Sequence, residues 1–150
     1  MKYQTETMSE VVKEIMPLLH LHWQDVALHQ DTIELDPNWQ VYQELEKMGF
    51  LHITTARTDE GELVGYVIYI IQPLLHYKKE LGADGDIFWL SPDHRKGSVG
   101  IRLLKAAETN IKQLGCTYIS NKTKLHKDVG RIFERLGYQA IERVYAKALT

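Results

Sequence analysis

The residues best suited to chemistry lie in one stretch, Arg95-Lys96-Gly97-Ser98-Val99-Gly100. It follows an apolar run, Ile87 to Leu90, that reads as a buried strand, and a stop at Ser91-Pro92-Asp93, because Pro92 cannot donate to a ladder. A helix starts at once: Val99, Leu103, Ala107, Ile111 and Leu114 recur every three or four residues. A glycine-bearing loop that feeds a helix start leaves backbone N–H groups free at the positive end of the helix dipole. Such a loop suits phosphate or pyrophosphate, and Arg95 and Lys96 add charge beside it. An ordinary strand-to-helix turn would also carry glycines, so the loop alone leaves both readings open.

Other reactive side chains are less telling. Cys116, the one cysteine, sits in an apolar run and reads as a small buried residue rather than a nucleophile. His22, Asp25 and His29 have spacings that could place three metal ligands on one helix face. Any amphipathic helix produces the same spacing, and no metal is expected.

The elements that must position the loop follow from periodicity. Thr7 and Glu10 have capping-box spacing, and Val11, Val12, Ile15, Leu18 and Leu19 supply the apolar face of a first helix reaching toward His29, with Pro17 as a kink or break. Asp36-Pro37 reads as the N-cap and first residue of a second helix ending at Gly49. Phe50 to Arg57 and Glu62 to Gln72 read as strands joined by a turn at Thr58-Asp59-Glu60-Gly61, the second apolar enough to be covered on both faces. Residues 74–85 read as a long connection and 86–91 as the next strand. After the loop and its helix come a short strand over 116–120, a helix over 125–136 closed by Gly137, and a final strand or bent pair over 138–149. The order predicts an α/β protein with helices on both faces of a mixed sheet.

Composition bounds the remainder. The 150 residues suit one domain, 1–150. The net charge of −2, with no basic tail, gives no case for nucleic acid. There is no run of membrane-spanning length and no signal-peptide pattern at Met1-Lys2-Tyr3, so a cytoplasmic protein is expected. The loop is neither Gly-x-x-x-x-Gly-Lys-Ser/Thr nor Gly-x-Gly-x-x-Gly, which weighs against an unrelated nucleotide-binding protein.

The stretch resembles the acyl-CoA-binding motif of the GNAT (GCN5-related N-acetyltransferase) family, Arg/Gln-x-x-Gly-x-Gly/Ala after a strand and a Pro. Pro92, Arg95 and Gly100 keep the register, while Ser98 replaces the middle glycine and a glycine stands at 97. Ile132-Phe133-Glu134-Arg135-Leu136-Gly137-Tyr138 is similar to the family's closing segment, and the element order matches over nearly the whole chain. His22-Trp23 and Leu35-Asp36-Pro37 also look like a subgroup of small acetyltransferases of phage and prophage genomes.

The resemblance implies a GNAT-like, mostly antiparallel sheet with a splayed parallel strand pair, and a direct transfer of acetyl from acetyl-CoA to an amine of a small molecule, peptide or protein. It implies that backbone at Trp89 and Leu90 pairs with the pantetheine arm. The amides of Lys96, Gly97, Ser98, Val99, Gly100 and Ile101 would cradle the pyrophosphate, with Arg95 at phosphate or facing solvent. Asn121 would reach the arm, or else be a turn residue. Asp86 is the first choice for the base and Glu34 and Asp36 are weaker ones. The family's usual acid, a tyrosine, is here Phe133, which cannot donate a proton; His126 is the first substitute, with Tyr138 or water behind it. That departure keeps a second possibility open, a catalytically impaired CoA-binding or interaction module. Family members often dimerise, so a homodimer is also among the expectations.

Overall fold

The structure, a computed structural model, describes residues 1–149. Its elements are β1 (Lys2–Thr5), α1 (Met8–Val26), α2 (Trp39–Lys47), β2 (Leu51–Arg57), β3 (Leu63–Leu74), β4 (Tyr77–Leu90), a short turn (Pro92–His94), α3 (Val99–Gln113), β5 (Tyr118–Ser120) and α4 (Gly130–Arg135). The strands form one sheet in chain order. Neighbours from β1 to β4 are antiparallel, and β4 and β5 are parallel. This is the mixed α/β sheet that the element order predicts, mostly antiparallel as the family resemblance implies.

Alternation along β3 supplies both faces of the core. Tyr66 and Ile68 point to one side, where Met8, Val11, Ile15 and Leu19 of α1 bury against them. Val67, Tyr69 and Ile71 point to the other, against Leu103, Leu104, Ala107 and Ile111 of α3 and Phe133 of α4. Each helix turns one apolar stripe to the sheet.

Several boundaries differ from the expectations. Lys2–Thr5 is an edge strand that polar residues conceal in the sequence; it is held by pairing with β2 from Lys2↔Arg57 to Thr5↔Thr54. The Thr7–Glu10 capping box is present, and α1 passes through Pro17 without a break. Asn38, not Asp36, caps α2, its side chain accepting from the Val41 N–H at 3.2 Å. Residues 77–85 are not a connection but the first half of β4. Their local preference is poor, with Gly82, Asp84 and Gly85, yet they pair with β3 from Leu74↔Tyr77 to Tyr69↔Gly85, so pairing overrides propensity. The last helix begins at Gly130, because Asp128 accepts from the Gly130 N–H at 2.8 Å and makes a turn of the preceding residues. The expected strand over 138–149 does not form among the described residues. Ile141 and Val144 lie three apart and fall on opposite faces of any strand, and both stay exposed, at 65% and 76%.

Candidate active site

β4 and β5 are paired over only three positions, Gly82↔Tyr118, Ala83↔Ile119 and Asp84↔Ser120. β4 then runs on to Leu90 along β3 while β5 stops, so among the described residues one edge of residues 85–90 has no strand beside it. The point of divergence is pinned by Asp84, which accepts from the Ser120 hydroxyl at 2.7 Å and pairs with Lys122. A cavity of about 30 Å³ opens just beyond, lined by Gly85, Asp86, Ile87, Phe88, Asn121 and Lys122. Space is tight there: a Cβ on Gly85 would stand 3.0 Å from Asn121 Oδ1 and 3.1 Å from the Ser120 carbonyl.

Asn121 closes the floor of this gap. Its Oδ1 accepts from the Tyr69 hydroxyl at 2.8 Å, while its buried Nδ2 lies toward the Tyr138 hydroxyl without a hydrogen bond of good geometry among the described residues. Glu108 Oε1 and the Tyr138 hydroxyl, buried behind it, also lack partners of good geometry. Burial first, and then Glu108, pushes the Tyr138 phenol above its ordinary range; burial does the same for Tyr69.

Asp86 does not begin a strand, as the sequence suggests, but sits within one as an extra residue. Ile68 faces Ile87 and Tyr69 faces Gly85, so Asp86 has no partner on β3. Such a bulge turns adjacent side chains to the same face. Ile87 therefore packs on the α1 side of the sheet, and Asp86 meets α2, where the Tyr42 hydroxyl donates to its Oδ2 at 2.6 Å. Burial, and then Asp86 itself, drives the Tyr42 phenol well above its ordinary range, so Tyr42 remains a donor.

The basic loop has the geometry of an anion cradle. Gly97 has φ +91°, a conformation that a side chain strains. Gly100 is buried, its Cβ position 3.5 Å from Leu90 and 3.6 Å from Phe88. Arg102 is the first residue of α3 whose N–H finds a helical partner, the Ser98 carbonyl at 2.9 Å. The amides from Lys96 to Ile101 have no backbone partner among the described residues, as expected at a helix start. Ser98 takes the N-cap position without capping through its hydroxyl. Arg95 turns from the loop: its Nε donates to the Leu90 carbonyl at 2.9 Å, and Nη2 lies 3.8 Å from Asp25. Beside it a pocket of about 270 Å³ is bounded by Leu21, Gln24, Asp25, Trp89, Pro92 and Arg95.

Of the residues singled out in the sequence, Asp86 and Asn121 therefore meet across one gap. Gly97, Ser98, Val99, Gly100 and Ile101 line up at the end of the strand that carries Trp89 and Leu90. His126 stands apart, exposed on the turn that Lys124 and Lys127 close. Phe133 is buried between Phe88 and Tyr138, with ring centroids 6.1 and 5.7 Å away, and does not line the cavity. α1 ends at Val26, so His29 does not share a face with His22 and Asp25. His22 is drawn below its ordinary pKa by burial and then by Arg95 and Lys124, with Asp25 opposing. Tyr42, Tyr69 and Glu108 escaped sequence reasoning, since each reads as one more position on an amphipathic helix or strand. Among the described residues no helix is long and apolar enough to cross a membrane.

The sheet opens between two parallel strands, next to amides without backbone partners at a helix start, an arrangement suited to an anion. The chain belongs to the acetyltransferase (GNAT) family, which its residues 13–138 match. No curated protein sequence matches it. Solved structures match its fold throughout. A ribosomal-protein-alanine N-acetyltransferase from Brucella melitensis biovar Abortus is 18% identical at a TM-score of 0.73, covering 99% of this chain and 100% of that one. A transcriptional regulator from Bacillus halodurans is 20% identical at 0.75, covering 99% of each. An aminoglycoside acetyltransferase from an uncultured soil metagenomic sample, in complex with sisomicin, is 15% identical at 0.72, covering 99% and 95%.

Proposed function

We propose that the protein is an acetyl-CoA-dependent N-acetyltransferase, a single domain over residues 1–150. The observation that carries this reading is the gap between β4 and β5, with Asn121 at its floor and amides without backbone partners at its end. These groups fit acetyl-CoA, which supplies an activated acyl carbon: its C–S bond breaks as the amine's C–N bond forms, leaving an amide and the CoA thiol. The open edge of β4 at Trp89 and Leu90 accepts the arm as an added strand. Asn121 Nδ2 donates to a carbonyl of that arm. The amides from Lys96 to Ile101, with the Lys96 ammonium, hold the pyrophosphate. Arg95 serves by bracing the Leu90 carbonyl rather than by touching phosphate.

Asp86 takes the proton that the attacking amine must lose, directly or through one water, and releases it to solvent. With Phe133 in the core and His126 apart on an exposed turn, protonation of the departing thiolate falls to water. The acceptor is a primary amine entering on the α1–α2 side, where Asp86 faces. Two of the structural neighbours, the ribosomal-protein-alanine N-acetyltransferase and the aminoglycoside acetyltransferase, suggest the first amines to try: a peptide beginning with alanine, and an aminoglycoside. The resemblance of His22-Trp23 and Leu35-Asp36-Pro37 leads us to group the chain with the small phage-type enzymes of a bacterial cytoplasm.

Calorimetric titration with acetyl-CoA, CoA, ATP and NAD tests the donor, and thiol release across those amines and a polyamine tests the reaction. Selective binding of acetyl-CoA and CoA with release of thiol on one amine is expected. Equal or no binding of all four ligands refutes the proposal. Binding without turnover on any amine favours the impaired module, which the buried Phe133 also supports.

A further inference from the structure

We infer that Tyr42 is a positioning residue for Asp86: its hydroxyl holds one carboxylate oxygen on the β4 bulge and leaves the other free for the amine's proton. The inference rests on the acyl-transfer reading of the same site. Asp86 needs an external brace. As the extra residue of the bulge it has no ladder partner to fix its direction, and its side chain stands exposed at the cavity. Among the described residues the Tyr42 hydroxyl, at 2.6 Å, is its one hydrogen-bond partner. A bond this short to a carboxylate is charge-assisted and directional.

Tyr42 is itself a firm arm. Its ring packs against the core that α1 and Ile87 form and lies 5.9 Å from the Trp39 ring. A phenol has few rotamers to lose, so the brace costs little entropy. The neighbouring charges do not compete for it. Asp84 is paired with Lys122 and bound by Ser120 on β5. Tyr66 of β3 buries its hydroxyl in the same core layer without a partner, and no cation reaches Asp86 from α1 or α2. A hydroxyl that donates to a carboxylate stabilises the ionised form, the form a base needs.

The consequence is measurable without turnover. The side-chain carboxyl carbon resonance of Asp86 is read at pH 7 in the ligand-free protein, wild type beside Tyr42→Phe, which keeps the ring and loses only the donor. That resonance is expected to shift as the carboxylate loses its one hydrogen bond. With the best amine of the panel kcat should fall about tenfold, with KM for acetyl-CoA unchanged. Tyr42→His, which restores a donor, should recover part of both. An unmoved Asp86 resonance in folded Tyr42→Phe overturns the inference. A moved resonance with an unchanged kcat overturns it as well, since Tyr42 would then hold a carboxylate that the reaction does not use. If no amine is acetylated, the reaction reading fails by itself, and an unmoved resonance still refutes the brace.

Discussion

Gly85→Ala is the sharpest perturbation of the gap. The new methyl carbon would meet Asn121 Oδ1 at 3.0 Å and the Ser120 carbonyl oxygen at 3.1 Å, a few tenths of an ångström closer than ordinary contact. Asn121 could swing, but only by giving up its bond from Tyr69 at 2.8 Å. The Ser120 carbonyl belongs to the backbone, and Ser120 is tied to Asp84 both in the ladder and through its hydroxyl. Overpacking of this kind costs about 1–3 kcal/mol. In a domain of this size each kcal/mol lowers Tm by about 2–4 °C, so a fall of roughly 2–12 °C is expected by calorimetry. The strain relaxes by pushing the end of β5 away, which displaces the Asn121 side chain, and CoA affinity should fall about tenfold, the worth of one lost hydrogen bond. Gly100→Ala is the matched control. Its methyl would sit 3.5 and 3.6 Å from Leu90 and Phe88, ordinary contact, and alanine is the better helix former, so Tm should hold or rise slightly. If Gly85→Ala leaves both Tm and CoA affinity unchanged, the gap is not limited by this contact and the reasoning fails.

Arg57→Ala should lose about 2–4 kcal/mol in urea unfolding: the guanidinium binds Glu6 through Nε and Nη2 at 2.9 and 3.0 Å and Glu14 through both Nη atoms, and its loss strands Glu6, whose side chain is 11% exposed. Burial would raise the Glu6 pKa, but its bonds from Arg57 and Thr55 outweigh this and lower it, so the ion pair's contribution is present above the ordinary carboxylate range and is lost as pH falls through the depressed value. His52 acts in a different window: burial lowers its pKa, the unfolded chain binds the proton first, and stability should decline as pH drops below about 6.5 toward the lowered value, by up to roughly 1.4 kcal/mol per pH unit. Unfolding of His52→Gln across pH 5 to 7 should show a shallower slope, with the remainder assigned to His22, which is lowered in the same way. An equally steep slope in that variant would refute the assignment.

The anion loop was legible because its chemistry is local. Strand stop, glycines, cation and helix start all lie within ten residues of one another, and a helix start needs no distant partner to leave its amides free. The Thr7–Glu10 capping box and the two-sided apolar run of β3 were legible for the same reason. The first half of β4 was not: its residues carry weak strand preference, and β3 decides their conformation. The final segment failed in the opposite direction, with strand-forming residues but no apolar face to bury.

Sequence alone therefore determined most of the helices and the strands β2 and β3, where the glycine-bearing turn lies, that the usual acid position holds Phe133, and that Asp86 and Asn121 flank the motif. The tertiary structure decided what these residues meet. One extra residue in the β3–β4 register turns Asp86 toward Tyr42, forty-four positions away, and a three-residue pairing of β4 with β5 opens the gap that Asn121 floors. Register and strand divergence are set by long-range pairing, in which a slip of one residue reverses every side chain, and no local pattern of residue types encodes that choice.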